Sequence, residues 1–293
     1  MESIKDTFVN QYKILDHIGS GSFGNVFKAL DTNTGDLVAL KIPIDTPERN
    51  NQDWIVKEYN IYKKLSNPEK GVVYVDLIQK KNKKIMVMNL LGDSLSNLMT
   101  KHKKFHLKTV ILLAIQMINK IKYIHSKGYI HRDIKPDNFT IGHESSNQIY
   151  CIDFGLATKY LKRDGQHLPQ ENGHRFLGTA RYASINAHLG NTQSRKDDLE
   201  AIGYLLVFFF LGKLPWQGIR CSDKEKRYRL ILEKKQQTSR KTLCKGLPRP
   251  FLKYFEYIDS LGYDERPRYT SIINTFKDLF TARQYTDDKF DWE

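Results

Sequence analysis

His131-Arg132-Asp133-Ile134-Lys135-Pro136-Asp137-Asn138 puts a carboxylate, an ammonium and a carboxamide at offsets of zero, two and five from Asp133. A carboxylate can take the proton of a hydroxyl. An ammonium can neutralise an anionic group in transit, and a carboxamide oxygen is a hard ligand suited to a small divalent cation. Asp153-Phe154-Gly155 follows and brings a second hard oxygen ligand. Asp133 alone could be a turn residue. The two stretches together, in this order, make phosphoryl transfer the leading reading.

The first run matches the protein-kinase catalytic loop, H-R-D-x-x-x-x-N, and the second its D-F-G. Upstream, Gly19-Ser20-Gly21-Ser22-Phe23-Gly24-Asn25-Val26 is G-x-G-x-x-G-x-V. Glycines let a backbone fold close over phosphates, whose oxygens accept its N–H groups. The same glycine spacing occurs where a strand opens into a helix. Here Val26-Phe27 runs on into another apparent strand, which favours a hairpin. Lys41 ends the apolar run Val38-Ala39-Leu40-Lys41 and needs a counter-charge if it points inward. Glu58, on the apolar face of the next helix, is the natural partner. An ion pair between them would hold the α- and β-phosphates of ATP.

The chain has 293 residues, of which 40% are hydrophobic and 27% charged, a globular composition. No stretch approaches the roughly 18 apolar residues of a membrane span. Leu199 to Leu211 is too short, carries Glu200, and reads as a buried core helix. Met1 to Asp6 show no apolar signal region, so no secretory signal is expected, and Glu2 is not the glycine that N-myristoylation requires. Three cysteines, Cys151, Cys221 and Cys244, show no metal-like spacing and suggest a reducing compartment, cytoplasm or nucleus. Cys151 is expected in a buried strand. The net charge of +14 fits a solvated basic surface, attraction to acidic or phosphorylated substrates, or attraction to nucleic acid or membrane headgroups, and charge alone does not choose among them. The lysines are scattered without an interleaved aromatic motif, so no stable nucleic-acid partner is expected.

Residues 12 to 88 read as strands and turns around one helix. Tyr12-Lys13-Ile14-Leu15 and Val26-Phe27-Lys28-Ala29 flank the glycine loop, and Leu37 to Ile42 is a buried strand. Trp54, Ile55, Glu58, Ile61, Tyr62 and Leu65 have helical spacing. Val72–Ile78 and Lys84–Leu90 look like a hairpin turning at Lys81-Asn82-Lys83. After Gly92 the pattern changes to long helices. One runs from Leu107 to Ser126 and stops at Lys127-Gly128; a second runs from Leu199 to Leu211. The expected fold is α+β and bilobal, with a β-rich small lobe and a helical large lobe. The catalytic domain would span 12–283, with the small lobe at 12–88, a hinge at 89–92 and the large lobe at 93–283. Residues 284–293 would form a short C-terminal segment.

Leu177-Gly178-Thr179-Ala180-Arg181-Tyr182-Ala183-Ser184-Ile185-Asn186 closely resembles the activation segment of the casein kinase 1 family. That family has Ser-Ile-Asn where most kinases have Ala-Pro-Glu. Ser194-Arg195-Lys196-Asp197-Asp198-Leu199-Glu200 and Leu214-Pro215-Trp216-Gln217-Gly218 are similar to the same family, and the resemblance runs from about Tyr12 to Trp292. It implies a serine/threonine kinase that uses ATP and Mg²⁺ and prefers acidic or phosphate-primed protein substrates. Asp133, Lys135 and Asn138 would be catalytic, with Asn138 and Asp153 holding the metal. The ATP site would comprise Ile18, Gly19, Ser20, Gly21, Ser22, Phe23, Gly24, Asn25, Val26, Ala39, Lys41 and Glu58. Met88 would be its gatekeeper, and Asn89, Leu90 and Leu91 the hinge that reads adenine. Arg181 and Arg227 would recognise the substrate phosphate, with Arg132 facing the same anion site.

Several positions depart from the family pattern. Asn89 replaces a hinge glutamate, Asp93 replaces a proline, and His174 stands where another basic phosphate contact is common. A localisation-like basic element at 224–228 is interrupted by Glu225. With no inhibitory tail or lipid anchor after Phe290-Asp291-Trp292-Glu293, a constitutively active monomer is expected. A pseudokinase scaffold would require loss of Lys41, Asp133, Asn138 or Asp153, and all four are present. Vaccinia-related and tau-tubulin kinases are relatives of this family. Ser-Ile-Asn, Arg181 and the short tail favour casein kinase 1 proper.

Overall fold

The computed structural model describes residues 7–21, 24–44, 53–143 and 145–293. The chain opens with a six-stranded sheet of β1 (Phe8–Val9), β2 (Tyr12–Gly21), β3 (Gly24–Asp31), β4 (Leu37–Ile42), β5 (Val75–Lys80) and β6 (Lys83–Asn89). Its order is β1-β2-β3-β4-β6-β5, with antiparallel neighbours. Side chains alternate between faces along a strand. Phe27, Ala29, Leu40, Ile85 and Val87 take one face and form a small core with Val9, Tyr12 and Ile14. Register pairs Val26 with Lys41, Lys41 with Met86, and Ala39 with Met88, so these residues share the other face. Helix α1 (Asp53–Leu65) buries Ile55, Tyr62 and Leu65 in a cluster that also contains Met86.

The hairpin starts later than its apolar run suggests. Val72 and Val73 are buried, but Val72 pairs with Asn67 in an isolated bridge, and β5 begins only at Val75. β6 runs through Asn89 and β7 (Leu91–Ser94) starts two residues later, so only Leu90 lies between strands. The expected four-residue hinge is therefore ordered at both ends.

Beyond β7 the chain is mostly helical: α2 (Leu95–His102), α3 (Leu107–Ser126), α4 (Ile185–His188), α5 (Arg195–Leu211), α6 (Lys224–Gln237), α7 (Arg240–Leu243), α8 (Arg249–Ser260) and α9 (Tyr269–Ala282). α3 has its expected bounds, and the Gly128 after it takes φ 80°. α3 packs against α5 and α9. α5 begins four residues before the expected Leu199. Its first turn is polar and invisible to apolar periodicity, yet buried, because Asp197 accepts the Ser194 N–H at 2.6 Å.

The large lobe is mainly helical, as expected, and also carries two small sheets. β9 (Phe139–Gly142) lies between β10 (Ile149–Cys151) and β7, while β8 (Tyr129–Ile130) pairs with β11 (Thr158–Lys159). Strands of two to four residues are too short to show a period in sequence. They nevertheless position the site. Residues 131–138 lie between β8 and β9, and 152–157 between β10 and β11. Cys151 ends β10 fully buried, as expected.

Candidate active site

The glycine loop closes the β2–β3 hairpin. Gly24 has φ 150°, and a Cβ there would meet the Ile42 carbonyl oxygen at 2.6 Å, so only glycine fits. At Gly21 a Cβ would meet nothing within 4 Å, so the protein itself does not require that glycine. Open space beside a bare backbone suits a phosphate. Ser20 and Asn25 face each other across the hairpin, and the Ser20 hydroxyl donates to Asn25 Oδ1 at 2.8 Å. Ile18 is 48% exposed at the sheet's edge. Ser22 and Phe23 lie outside the described residues.

Lys41 meets both oxygens of Glu58, at 2.9 and 2.8 Å, and Asp153 Oδ1 at 3.1 Å. Burial pushes the Lys41 ammonium down, but Glu58 and Asp153 outweigh it and hold it above its usual range. Burial raises the Asp153 carboxyl, yet Lys41 leads the cations that bring it below its ordinary value. The three side chains join strand β4, helix α1 and the loop after β10 into one ionic node.

The catalytic run is held from below. Asp198, in the first turn of α5, accepts the backbone N–H groups of His131 at 2.7 Å and Arg132 at 2.9 Å. It also meets His125 Nε2 at 2.9 Å. These bonds fix a backbone in which Arg132 takes φ 67°. His131 donates through Nε2 to the Ile152 carbonyl at 3.1 Å, and its ring lies tilted against Phe154 at 5.2 Å. Tyr62 of α1 meets Phe154 edge-on at 4.8 Å, and its hydroxyl accepts the Asp153 N–H at 2.9 Å. A continuous line of ring contacts thus runs from α1 to residues 131–138.

Asp133 is buried, and both its oxygens are engaged. Lys135 donates to Oδ2 at 2.6 Å, and the Thr179 hydroxyl donates to Oδ1 at 2.8 Å. Asn138 Nδ2 donates to the Asp133 carbonyl at 2.9 Å, which leaves its amide oxygen for another partner. The Ile152 N–H bonds the Asn138 carbonyl at 3.0 Å, bringing Asn138 alongside the residue before Asp153. Among the described residues no group of three or more His, Cys, Asp or Glu could hold a metal ion unaided. An amide oxygen and a carboxylate fit a divalent cation that takes its remaining ligands from phosphates and water.

The adenine-side candidates also come together. Ala39 and Met88 are register partners, and Asn89 pairs with Val38. Asn89 Oδ1 accepts the Tyr74 N–H at 3.1 Å, which ties the connector to the start of β5. Asp93 binds Lys101 at 2.7 Å and Asn97 at 3.2 Å, and Lys101 leads the hydrogen bonds that lower its carboxyl.

Arg181 and Arg227 line one cavity of about 840 Å³, together with Lys103, Thr179 and Trp216. Arg132 is not there. Its Nε donates to the Leu156 carbonyl at 2.8 Å, and it lines a separate cavity of about 260 Å³ with Lys159, His174 and Arg175. The expectation of a single anion site for all three arginines is corrected. The backbone bonds to Asp198 and the bond to Leu156 turn the Arg132 side chain the other way. His174, which stands where another basic phosphate contact is common in the similar family, belongs to this second cavity and meets Thr192 at 3.0 Å.

Sequence reading missed Thr179, Tyr62, Asp198 and Trp216. Thr179, Asp198 and Trp216 stood within quoted motifs and Tyr62 in the helical stripe, but their partners lie far away in the chain. A family model described as protein kinase domain matches residues 12–274. A sheet-built small lobe on a helical large lobe, with Lys41, Asp133, Asn138 and Asp153 converging between them, is the arrangement of that family, and this chain belongs to it: the protein kinases.

Proposed function

We propose that the chain is a serine/threonine protein kinase of the casein kinase 1 type. It transfers the ATP γ-phosphoryl group to proteins that are acidic or already phosphorylated. The observation that carries this reading is the setting of Asp133, a buried carboxylate tied to Lys135 and Thr179 and joined through Thr179 to a cavity with Arg181 and Arg227.

Asp133 orients the substrate hydroxyl and accepts its proton. Lys135 offsets charge on the transferring group. Lys41, held by Glu58, binds the α- and β-phosphates, and the backbone at Gly19 to Gly21 and at Gly24 to Val26 covers them. Asn138 and Asp153 hold Mg²⁺, which when bound neutralises phosphate charge. Ile18, Val26, Ala39 and Met88 enclose the adenine, and Asn89 to Leu91 read its edge. Arg181 and Arg227 take the priming phosphate, for which arginine is the better bidentate ligand.

Constitutive activity is part of the proposal. Its support is that Lys41 already meets Glu58 and that Phe154 is already packed under α1. We further propose a monomer acting on proteins, not nucleic acid, in the cytoplasm or nucleus. No helix among the described residues is long and apolar enough to cross a membrane.

The test is phosphate transfer from ATP to paired peptides, one carrying a phosphoserine three residues before the target serine. Faster transfer to the primed peptide is expected. No transfer to either, with nucleotide still bound, overturns the enzyme reading; equal rates overturn the anion-pocket role of Arg181 and Arg227.

A further inference from the structure

Lys235 is 2% exposed, near the end of α6. Burying an ammonium is costly unless its protons find partners. Here they find backbone. Lys235 Nζ donates to the Ala180 carbonyl at 3.0 Å and to the Ala183 carbonyl. Its charge lies over the rings of Tyr204 at 4.9 Å and Trp216 at 5.2 Å. Between those two carbonyls, the Arg181 carbonyl accepts the Trp216 indole N–H at 2.7 Å. His188 adds a bond to the Ala180 carbonyl at 2.9 Å. Residues 180–183 are neither helix nor strand, so side chains satisfy what a ladder would otherwise take.

The helix that supplies Lys235 also supplies Arg227. Arg227, Ile231 and Lys235 recur at four-residue steps along one side of α6, about two turns in all. Arg227 and Ile231 line the cavity that contains Arg181, and Lys235 is bonded to the backbone on either side of Arg181. One helix therefore fixes both arginines. Tyr228 of the same helix packs on Phe176, whose ring stacks on His188 at 4.7 Å, a second attachment to the same segment.

We infer that Lys235 is a positioning residue for substrate recognition: by clamping the carbonyls that flank Arg181 to the helix that carries Arg227, it sets the spacing of the two arginines that receive a priming phosphate. This rests on the reading of that cavity as the anion site. Burial also brings the Lys235 ammonium down to about 7, a cost the fold tolerates at this point. A residue serving only general stability would support primed and unprimed transfer alike. A residue that spaces the arginines acts on the primed substrate selectively.

The experiment measures kcat and KM for the paired peptides with the wild-type chain, Lys235→Met, Lys235→Gln, Arg181→Ala and the double variant Lys235→Met/Arg181→Ala. ATP binding and melting temperature are followed in each. The expected result is a fall of about tenfold in the primed-to-unprimed ratio of kcat/KM for Lys235→Met, carried by KM for the primed peptide. Lys235→Gln, which keeps an amide donor, should lose less. The double variant should have the same ratio as Arg181→Ala alone, because the lysine acts through the arginine. Equal losses on both peptides, or additive ratios, overturn the proposal. So does loss of folded protein in both Lys235 variants, which would make the lysine a fold determinant only. If Arg181→Ala itself leaves the wild-type preference intact, the anion-pocket reading fails, whatever Lys235 does.

Discussion

Asp133 is held through both oxygens, and those bonds separate its two possible duties. In the proposed arrangement Lys135 faces the group in transfer and Thr179 lines the cavity of Arg181, while Lys41 holds the α- and β-phosphates, so the carboxylate's work lies with the substrate hydroxyl. Asp133→Asn keeps the shape and can still accept from Thr179, but cannot take a proton. Turnover should fall by about 10²–10⁴-fold, the usual range for a lost general base. Affinity for ATP, measured by calorimetry, should stay nearly unchanged, and a large fall would move Asp133 into nucleotide binding. His188 makes a different single-residue prediction. Burial, then the Lys235 charge, push its imidazole down from 6.5 to about 4, and the bond to Ala180 opposes them only in part. The folded state therefore keeps a neutral ring, while the unfolded chain takes up a proton below 6.5. Stability should fall as pH drops from 6.5 to about 4, by up to about 3 kcal/mol, and this contribution should level off below. His188→Gln retains a donor for Ala180 without titrating. Urea unfolding across that window should show a shallower fall in the variant, and equal slopes would remove His188 from the account.

At the scale of elements, the activation segment is pressed onto the catalytic run at Gly178. Its φ is 98°, and a Cβ there would meet the Arg132 carbonyl oxygen at 2.7 Å. Gly165 has a similar φ of 84° but open space around it. Gly165→Ala should cost about 1 kcal/mol of backbone strain. Gly178→Ala should cost about 2–3 kcal/mol and lower kcat, because Thr179 is pulled from Asp133. Equal losses of stability and activity in the two variants would mean that the close approach is immaterial. The same contrast explains what was legible in sequence. α3 could be bounded to the residue because its apolar period and its Lys127-Gly128 stop are local signals. The polar first turn of α5 and the short strands β7 to β11 carry no period. They exist because of partners elsewhere: Asp198 under His131, and Gly142 beside Leu91. Of the site residues readable from sequence, Lys41, Asp133, Asn138 and Asp153 stand in short motifs with fixed offsets, and Glu58 on the apolar stripe of a helix. Thr179 and Lys235 act on residues 46 and 55 positions away, and Arg132 leaves the Arg181 cavity through backbone geometry that no offset encodes.

Across the whole molecule, the last residues support the helix that leads into the site. α3 has no acid in its first turn, and its N-cap, His106, makes no side-chain cap. Asp291 compensates from 185 positions away, accepting the His106 N–H at 2.7 Å, while its own N–H bonds Thr109 at 3.0 Å. A carboxylate at that end also complements the helix dipole. Phe290 is buried and stacks on Trp292 at 4.5 Å, and Trp292 meets Phe105 at 5.3 Å, so the segment wedges beside the start of α3. Asp291→Ala should lower the unfolding free energy by about 1 kcal/mol, the cost of a lost helix cap. Phe290→Ala should lower it by about 3–4 kcal/mol through the cavity it leaves. Twenty residues of α3, about 30 Å, separate this end from the one that feeds β8 and His131. Neither substitution should therefore change kcat by more than about twofold while the protein stays folded. Chemical denaturation and peptide kinetics on the same preparations check both halves. A large loss of turnover in Asp291→Ala at unaltered stability would show that α3 transmits strain along its length instead of serving as a rigid support.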